Sequence, residues 1–316
     1  INLYREILKG KWFIHYSYAL SLTPLLENMF RPGMNIESRD WEGMQTYDIA
    51  ADKDRAKFPM QAGTSAKTVS MFDSFDKAPQ GSVAVIPLKS VMVKYGNMCQ
   101  YGTEEIAAIM MQAGASNKID GLVLDIDSGG GSVDSIPPML DAIKKIQGEM
   151  DKPVIACGDL CASAAYYVAS HCDKIIAGND VSAEFGSIGV MMSFADVQPA
   201  YERMGVKFHR IYAPESNYKN KDFEMALKGE YENIREEMLS PLAVKFQNDV
   251  KKARGSKLDL SVPGLLNGRM FNAVNEKDPS MSATSVGLID SVGHIDHAIN
   301  MAQTLREIRK IKSKNR

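Results

Sequence analysis

Ser163 is the residue in this chain best placed to do chemistry. It stands in Cys157-Gly-Asp-Leu-Cys-Ala-Ser-Ala-Ala-Tyr-Tyr167. The apolar stretch Pro153 to Cys157 reads as a buried strand, and Ala162-Ser-Ala-Ala opens a helix running through Tyr166, Tyr167, Val168 and Ala169. A serine at the first turn of a helix meets unpaired backbone N–H groups and the positive end of the helix dipole. That suits a nucleophile, provided other residues supply a base and donors for an oxyanion.

Leu122-Val-Leu-Asp-Ile-Asp-Ser-Gly-Gly-Gly-Ser-Val133 puts three glycines between a strand and a helix. Such glycines permit positive φ and close approach of a ligand to the backbone. A dinucleotide fingerprint fails because Gly129 and Gly131 are followed by Asp134 at the last required position, and a phosphate loop fails for want of Gly-Lys-Ser/Thr. An oxyanion hole needs only N–H groups aimed at a carbonyl oxygen. A plain tight turn explains the loop equally well when it is taken alone.

The five histidines are His15, His171, His209, His294 and His297. His171 lies eight residues beyond Ser163 on the same expected helix, about 12 Å away at ~1.5 Å per residue. No pattern ties the others to Ser163. Lysine is the other base used with serine, provided burial or a cationic neighbour lowers its pKa. Lys219 and Lys221 bracket Asn220 in Glu215-Ser-Asn-Tyr-Lys-Asn-Lys-Asp-Phe223; each on its own reads as a solvated surface lysine.

The elements that must position these residues begin near Ser82. Val83 to Leu88, Ile119 to Ile126, Val154 to Ala156 and Lys174 to Ala177 read as strands, and Ser187 to Met192 continues the pattern. Helices are expected from Thr103, from Ser132 to Met150 and from Glu230 to Arg254. Alternating strands and helices give an α/β layered domain with mostly parallel strands. Residues 1 to about 45 carry helical apolar spacing that includes Leu3, Ile7 and Ile14, and Asn35 to about Gln80 reads as a sparsely structured linker. The expected divisions are 1–80 as an N-terminal helical arm and linker, 81–302 as the main domain and 303–316 as a basic, frayed and solvated tail.

The chain has 316 residues, 45% hydrophobic and 24% charged, with a net charge of -2. No overall basicity argues for nucleic acid. Cys99, Cys157, Cys161 and Cys172 are too few for a disulfide framework and read as buried reduced thiols in a reducing compartment. No apolar run reaches the ~18 residues that span a bilayer. The opening Ile1-Asn-Leu-Tyr-Arg-Glu breaks its apolar residues with charge, unlike a signal peptide. No membrane anchor is evident, and a cytoplasmic location is expected.

Five segments in register resemble the signal peptide peptidase A family of Ser–Lys peptidases, including its phage capsid (prohead) protease branch. Asp127-Ser-Gly-Gly-Gly-Ser-Val133 resembles the Ser-Pro-Gly-Gly loop, and Ala162-Ser-Ala-Ala-Tyr-Tyr-Val-Ala-Ser170 the nucleophile segment. Phe185-Gly-Ser-Ile-Gly-Val-Met191 resembles a Thr-Gly-Ser-Ile-Gly-Val segment, and Asn217-Tyr-Lys-Asn220 the segment bearing the lysine. Gly268-Arg-Met-Phe and Val286-Gly-Leu-Ile-Asp-Ser-Val-Gly293 resemble the closing motifs. Gly129 replaces the usual proline, and Ala164 and Ala165 replace two glycines. The lysine segment is spaced differently from its usual form, and the Tyr-Lys-Asn pattern favours Lys219 over Lys221.

The resemblance implies a fold like the Clp protease and crotonase proteins, with Ser163 as nucleophile and Lys219 as general base. It implies oxyanion donors at Gly130 and Ala164, and no metal, nucleotide or other cofactor. It implies a homo-oligomer with its sites facing an internal cavity and polypeptide substrates. The Lys9-Gly-Lys-Trp12 opening resembles phage-type members, so capsid or scaffold proteins are the expected substrates, in the host cytoplasm or procapsid interior. The alternatives are a cellular signal-peptide-degrading peptidase, a crotonase-like acyl-CoA enzyme and a non-catalytic shell protein.

Overall fold

The computed structural model describes residues 12–14, 57–62, 65–70, 75–96 and 100–315. Its centre is four neighbouring parallel strands: β4 (Ser82–Lys89), β5 (Ile119–Ser128), β7 (Val154–Ala162) and β8 (Lys174–Ala177). Their apolar residues alternate between two cores, because successive strand side chains point to opposite faces. Ala84, Ile86, Leu122, Leu124, Ile126 and Ala156 belong to the larger core. Helices α1 (Thr103–Ala115), α2 (Ile136–Gly148), α3 (Ala164–Ser170) and α6 (Ser240–Arg254) contribute buried residues to it. Val83, Val85, Val123, Ile155 and Cys157 face the other way, against Ala298, Ile299 and Ala302 of α7 (Ile295–Lys314). Helices α4 (Gln198–Arg203) and α5 (Lys221–Ala226) lie in an exposed stretch between the sheet and α6. The mostly parallel α/β architecture expected from the sequence is therefore present.

The sheet forks at β7. Ile155 to Gly158 pair with β8, whereas Leu160 to Ala162 pair with β9 (Glu184–Gly186). The change of partner coincides with an irregularity against β5, where Ile126 faces Gly158 and Asp127 faces Leu160. Asp159 is the extra residue, and such a bulge bends a strand and sharpens its twist. A Cβ at Gly158 would lie 2.4 Å from the Ile126 carbonyl oxygen, so glycine is required at the bend. Strand β9 in turn pairs antiparallel with β10 (Met270–Asn272), and β8 pairs with β11 (Ser291–Val292).

Several expectations are corrected. Trp12–Ile14 is a strand, β1, paired with β6 (Gly130–Ser132), although Ile14 was placed in a helical pattern. The rest of the expected helical arm lies outside the described residues. The stretch read as a linker holds a hairpin, β2 (Lys57–Ala62) and β3 (Ser65–Ser70), that extends the main sheet through β4. Finally, α7 continues past Ala302 to Lys314 instead of fraying. Its basic residues are held by acids of the body: Arg306 by Asp151, Arg309 by Asp173 and Lys310 by Asp120. Helical spacing places these three cations on the side of α7 that faces the sheet ends, which charge composition alone does not reveal. Helix α2 is shorter than expected, because Pro137 and Pro138 occupy its first turn and Val133–Ser135 forms a separate turn of 3₁₀ helix.

Candidate active site

Ser163 and the glycine loop leave the carboxyl ends of adjacent parallel strands. Ser128 of β5 is the register partner of Cys161 of β7. The chain reaches Gly130 two residues after Ser128 and Ser163 two residues after Cys161, and the loop strand that starts at Gly130 packs against the helix that Ser163 opens. Ligands of open α/β sheets bind at such carboxyl ends. On the other side of β7, Ala162 faces Gly186, and Gly186 faces Met270. Four of the segments singled out in the sequence therefore lie in consecutive strands or at their ends.

Ser163 has φ 55° and ψ -118°, a region that L-residues rarely adopt. Such strain costs about 1–3 kcal/mol and persists only where the surroundings impose it. Here the Ser163 N–H donates to the Gly186 carbonyl at 2.8 Å, and the Ser163 carbonyl accepts from Tyr167 N–H at 2.8 Å. The residue is 1% exposed, and its side chain makes no capping hydrogen bond to α3. The hydroxyl is thus not spent on its own helix.

The two tyrosines after it pin α3. Tyr166 is fully buried, and its hydroxyl donates to the Leu288 carbonyl at 2.8 Å. The Tyr167 hydroxyl donates to Asp249 of α6, and its ring stacks on Phe246 with centroids 4.5 Å apart. Burial and the Asp249 carboxylate push the Tyr167 phenol upward, so it stays a donor.

The loop amides point in different directions. Gly130, at φ 99°, donates its N–H to Ser128 Oγ at 3.1 Å, and that hydroxyl donates to the Ser90 carbonyl at 2.5 Å. The Gly130 carbonyl accepts from Met92 N–H, and Ser132 N–H donates to the Met92 carbonyl, both at 2.9 Å. Backbone groups alternate in direction along an extended strand, so the N–H and carbonyl of Gly131 face the opposite edge. The Gly130 N–H is engaged by Ser128 within the loop, and the Gly131 N–H faces the edge with which β1 pairs. A Cβ at Gly131 would lie 1.9 Å from the Met92 carbonyl oxygen, so only glycine fits. Ala164 opens α3, where N–H groups have no partner within the helix.

Lys219 and Lys221 are not brought to Ser163 within the chain. Lys219 is exposed in a turn, and its Nζ makes no hydrogen bond or ion pair with a described residue. Lys221 Nζ sits 4.5 Å above the Tyr218 ring centroid. Between Ser193 and Asn233 only Ala226 is buried. Ile211 is 92% exposed and Tyr218 78%, and Met204, Val206 and Phe208 are also exposed.

Other ionisable groups are accounted for by the fold. Burial, followed by the Arg306 charge, pushes Lys152 down, but its Nζ donates to the Gly114 and Ser116 carbonyls at the opposite end of β7 from Ser163. His171 Nδ1 is 2.9 Å from the Tyr167 carbonyl oxygen and 3.1 Å from Ser170 Oγ. Cys157, Cys161 and Cys172 are free and buried, and burial pushes the Cys157 thiol up to about 12; Cys99 lies outside the described residues.

A profile of Peptidase family S49 matches residues 147–309, just over half of the chain. The chain belongs to that family. The S49 match contains Ser163, the Gly186-Ser187 segment, β10 and the Asp290 motif, while the glycine loop lies just before it.

Among curated S49-like relatives, the head-tail preconnector protein GP5 of Enterobacteria phage P21 is 30% identical over 183 residues, 56% of this chain and 36% of that protein. Capsid assembly protease C of Escherichia phage lambda is 32% identical over 139 residues, 42% of this chain and 30% of that protein. Protease 4 of Haemophilus influenzae is 26% identical over 205 residues, 65% and 31% of the two chains. The matched region thus spans about a third of the length of each of these relatives. No helix among the described residues is long and apolar enough to cross a membrane.

Sequence reasoning missed three residues that shape the surroundings of Ser163 and the loop: Ser128 bonds the loop, Gly131 turns its N–H to the edge away from Met92, and Asp249 holds Tyr167. Ser128 and Gly131 lay in the quoted loop, but strand direction decides which amide faces out. Asp249 is 82 residues from Tyr167, and no local pattern links them.

Proposed function

We propose that this chain is a serine endopeptidase working through a Ser–Lys dyad, with polypeptide substrates. The observation that carries this is the strained, buried Ser163 at the carboxyl end of β7, beside a loop with an outward N–H. Ser163 Oγ attacks the substrate carbonyl carbon while its proton passes to a neutral lysine. The N–H groups of Gly131 and Ala164 hold the oxyanion. Collapse expels the amine, which takes the proton from the lysine, and water then hydrolyses the acyl-enzyme.

We assign the base to Lys219, with Lys221 as the competing choice, and infer that it is delivered by a second copy of the chain. The exposure of Met204, Val206, Phe208, Ile211 and Tyr218 within the 193–233 stretch supports this, since uncovered large apolar side chains favour association. The phage proteins named above favour capsid or scaffold proteins as substrates, in the host cytoplasm or procapsid interior. Protease 4 of Haemophilus influenzae favours the second choice, cellular peptide degradation. Covalent labelling by a peptidyl phosphonate tests the chemistry: we expect modification at Ser163 that is lost in Ser163→Ala. Labelling that persists in Ser163→Ala would sink the assignment.

A further inference from the structure

Strand β1 occupies the one edge of the glycine loop that a substrate main chain can use. Strand β6 has two edges. One is closed by Met92, through its N–H to Gly130 and its carbonyl to Ser132. The other carries the N–H and carbonyl of Gly131, and there Trp12–Ile14 pairs antiparallel, with Phe13 opposite Gly131 and Ile14 opposite Gly130. Extended peptides commonly bind by adding a strand to such an edge. Strand β6 also packs against α3, the helix that Ser163 opens.

We propose that residues 12–14 act as a built-in competitor for this edge, so that an extended peptide enters only when β1 leaves. The proposal rests on the peptidase reading for its meaning, because Gly131 is the donor assigned there to the oxyanion. Its ligand class is an extended peptide with free main-chain donors and acceptors, of which Trp-Phe-Ile is the example the chain itself carries. Because β1 is part of the same chain, it competes at an effective concentration that dilution does not change. A segment docked nine-tenths of the time would weaken peptide binding about tenfold. Peptides held only weakly in trans would therefore be excluded, and long or locally concentrated ones admitted.

The test uses the full chain carrying Ser163→Ala, so that no turnover intervenes. Phe13→Pro removes the N–H that opposes Gly131. Phe13→Gly keeps that donor but lowers strand preference, and Phe13→Tyr is the conservative control. Two quantities are read: amide exchange at Gly131, and the Kd of a fluorescent peptide copying residues 11–17. We expect Phe13→Pro to speed Gly131 exchange and to tighten peptide binding, each about tenfold. Phe13→Gly should move both in the same direction by less, and Phe13→Tyr should stay within about twofold. Unchanged exchange and unchanged Kd in both Phe13→Pro and Phe13→Gly overturn the proposal. Faster exchange with unchanged Kd also overturns it, since β1 would then pair without competing. Neither readout needs a reactive serine, so failure of phosphonate labelling would remove the peptidase reading and leave this result standing.

Discussion

The amide of Ser163 donates to the carbonyl of Gly186 at 2.8 Å, tying the backbone of the proposed nucleophile to the next strand of the sheet. This bond and the Tyr167 N–H hold Ser163 at positive φ. Strain stored there is measurable. Ser163→Gly should be more stable than Ser163→Ala by about 1–2 kcal/mol, because glycine reaches positive φ without steric cost. Chemical denaturation of the two variants checks this, and equal stability would mean that the serine conformation is not strained.

Gly131→Ala places a methyl group into the Met92 carbonyl. The loop must then shift and its outward N–H move off target. Phosphonate labelling of Ser163 should fall by about 10²–10³-fold, the usual cost of an oxyanion donor, while circular dichroism keeps the α/β signature. Full labelling in Gly131→Ala would transfer the donor role elsewhere.

The lysine can be located by mixing. Ser163→Ala and Lys219→Ala chains should each fail to label alone. If Lys219 acts across copies, co-assembled mixtures regain labelling on the Lys219→Ala chain, which still carries Ser163. No recovery in the mixture, with activity retained by Lys221→Ala, places the base within the same chain.

Asp290 gives the clearest pH dependence of stability. Burial alone would raise its pKa, but hydrogen bonds from Lys257 and Arg254 and the Arg254 charge overcome this and hold it at about 2, below its ordinary 3.8. A depressed folded-state pKa contributes stability that is complete above about pH 4 and is lost as pH falls towards 2. The contribution is about 2–3 kcal/mol, readable as a falling urea midpoint across that window. Asp290→Asn should flatten the acid limb and cost about 3 kcal/mol at neutral pH, because Arg254, only 4% exposed, is left unpaired.

Tyr167→Phe removes the hydroxyl that reaches Asp249 but keeps the ring on Phe246. A loss of about 1–2 kcal/mol is expected, with a smaller effect on labelling than Gly131→Ala. A labelling loss as large as that of Gly131→Ala would mean that Tyr167 does more than anchor α3.

The parallel strands were legible because Val83 to Leu88 and Ile119 to Ile126 are β-branched, apolar and bounded by turn residues, and Ser163 because small residues open a helix straight after one of them. The β2–β3 hairpin was not legible. Its sequences, Lys-Phe-Pro-Met-Gln-Ala and Ser-Ala-Lys-Thr-Val-Ser, alternate weakly, and their strand state depends on the β4 edge. Nor was Trp12–Ile14, whose partner is a glycine loop more than a hundred residues away. Choosing between Gly130 and Gly131 needed the direction of each amide, which residue type does not encode.

Ser163 sits at an enclosed strand end, while Lys219 rides on an exposed stretch. If the two halves meet only between copies, the labelling rate rises with more than the first power of chain concentration, and crowding of copies becomes the trigger.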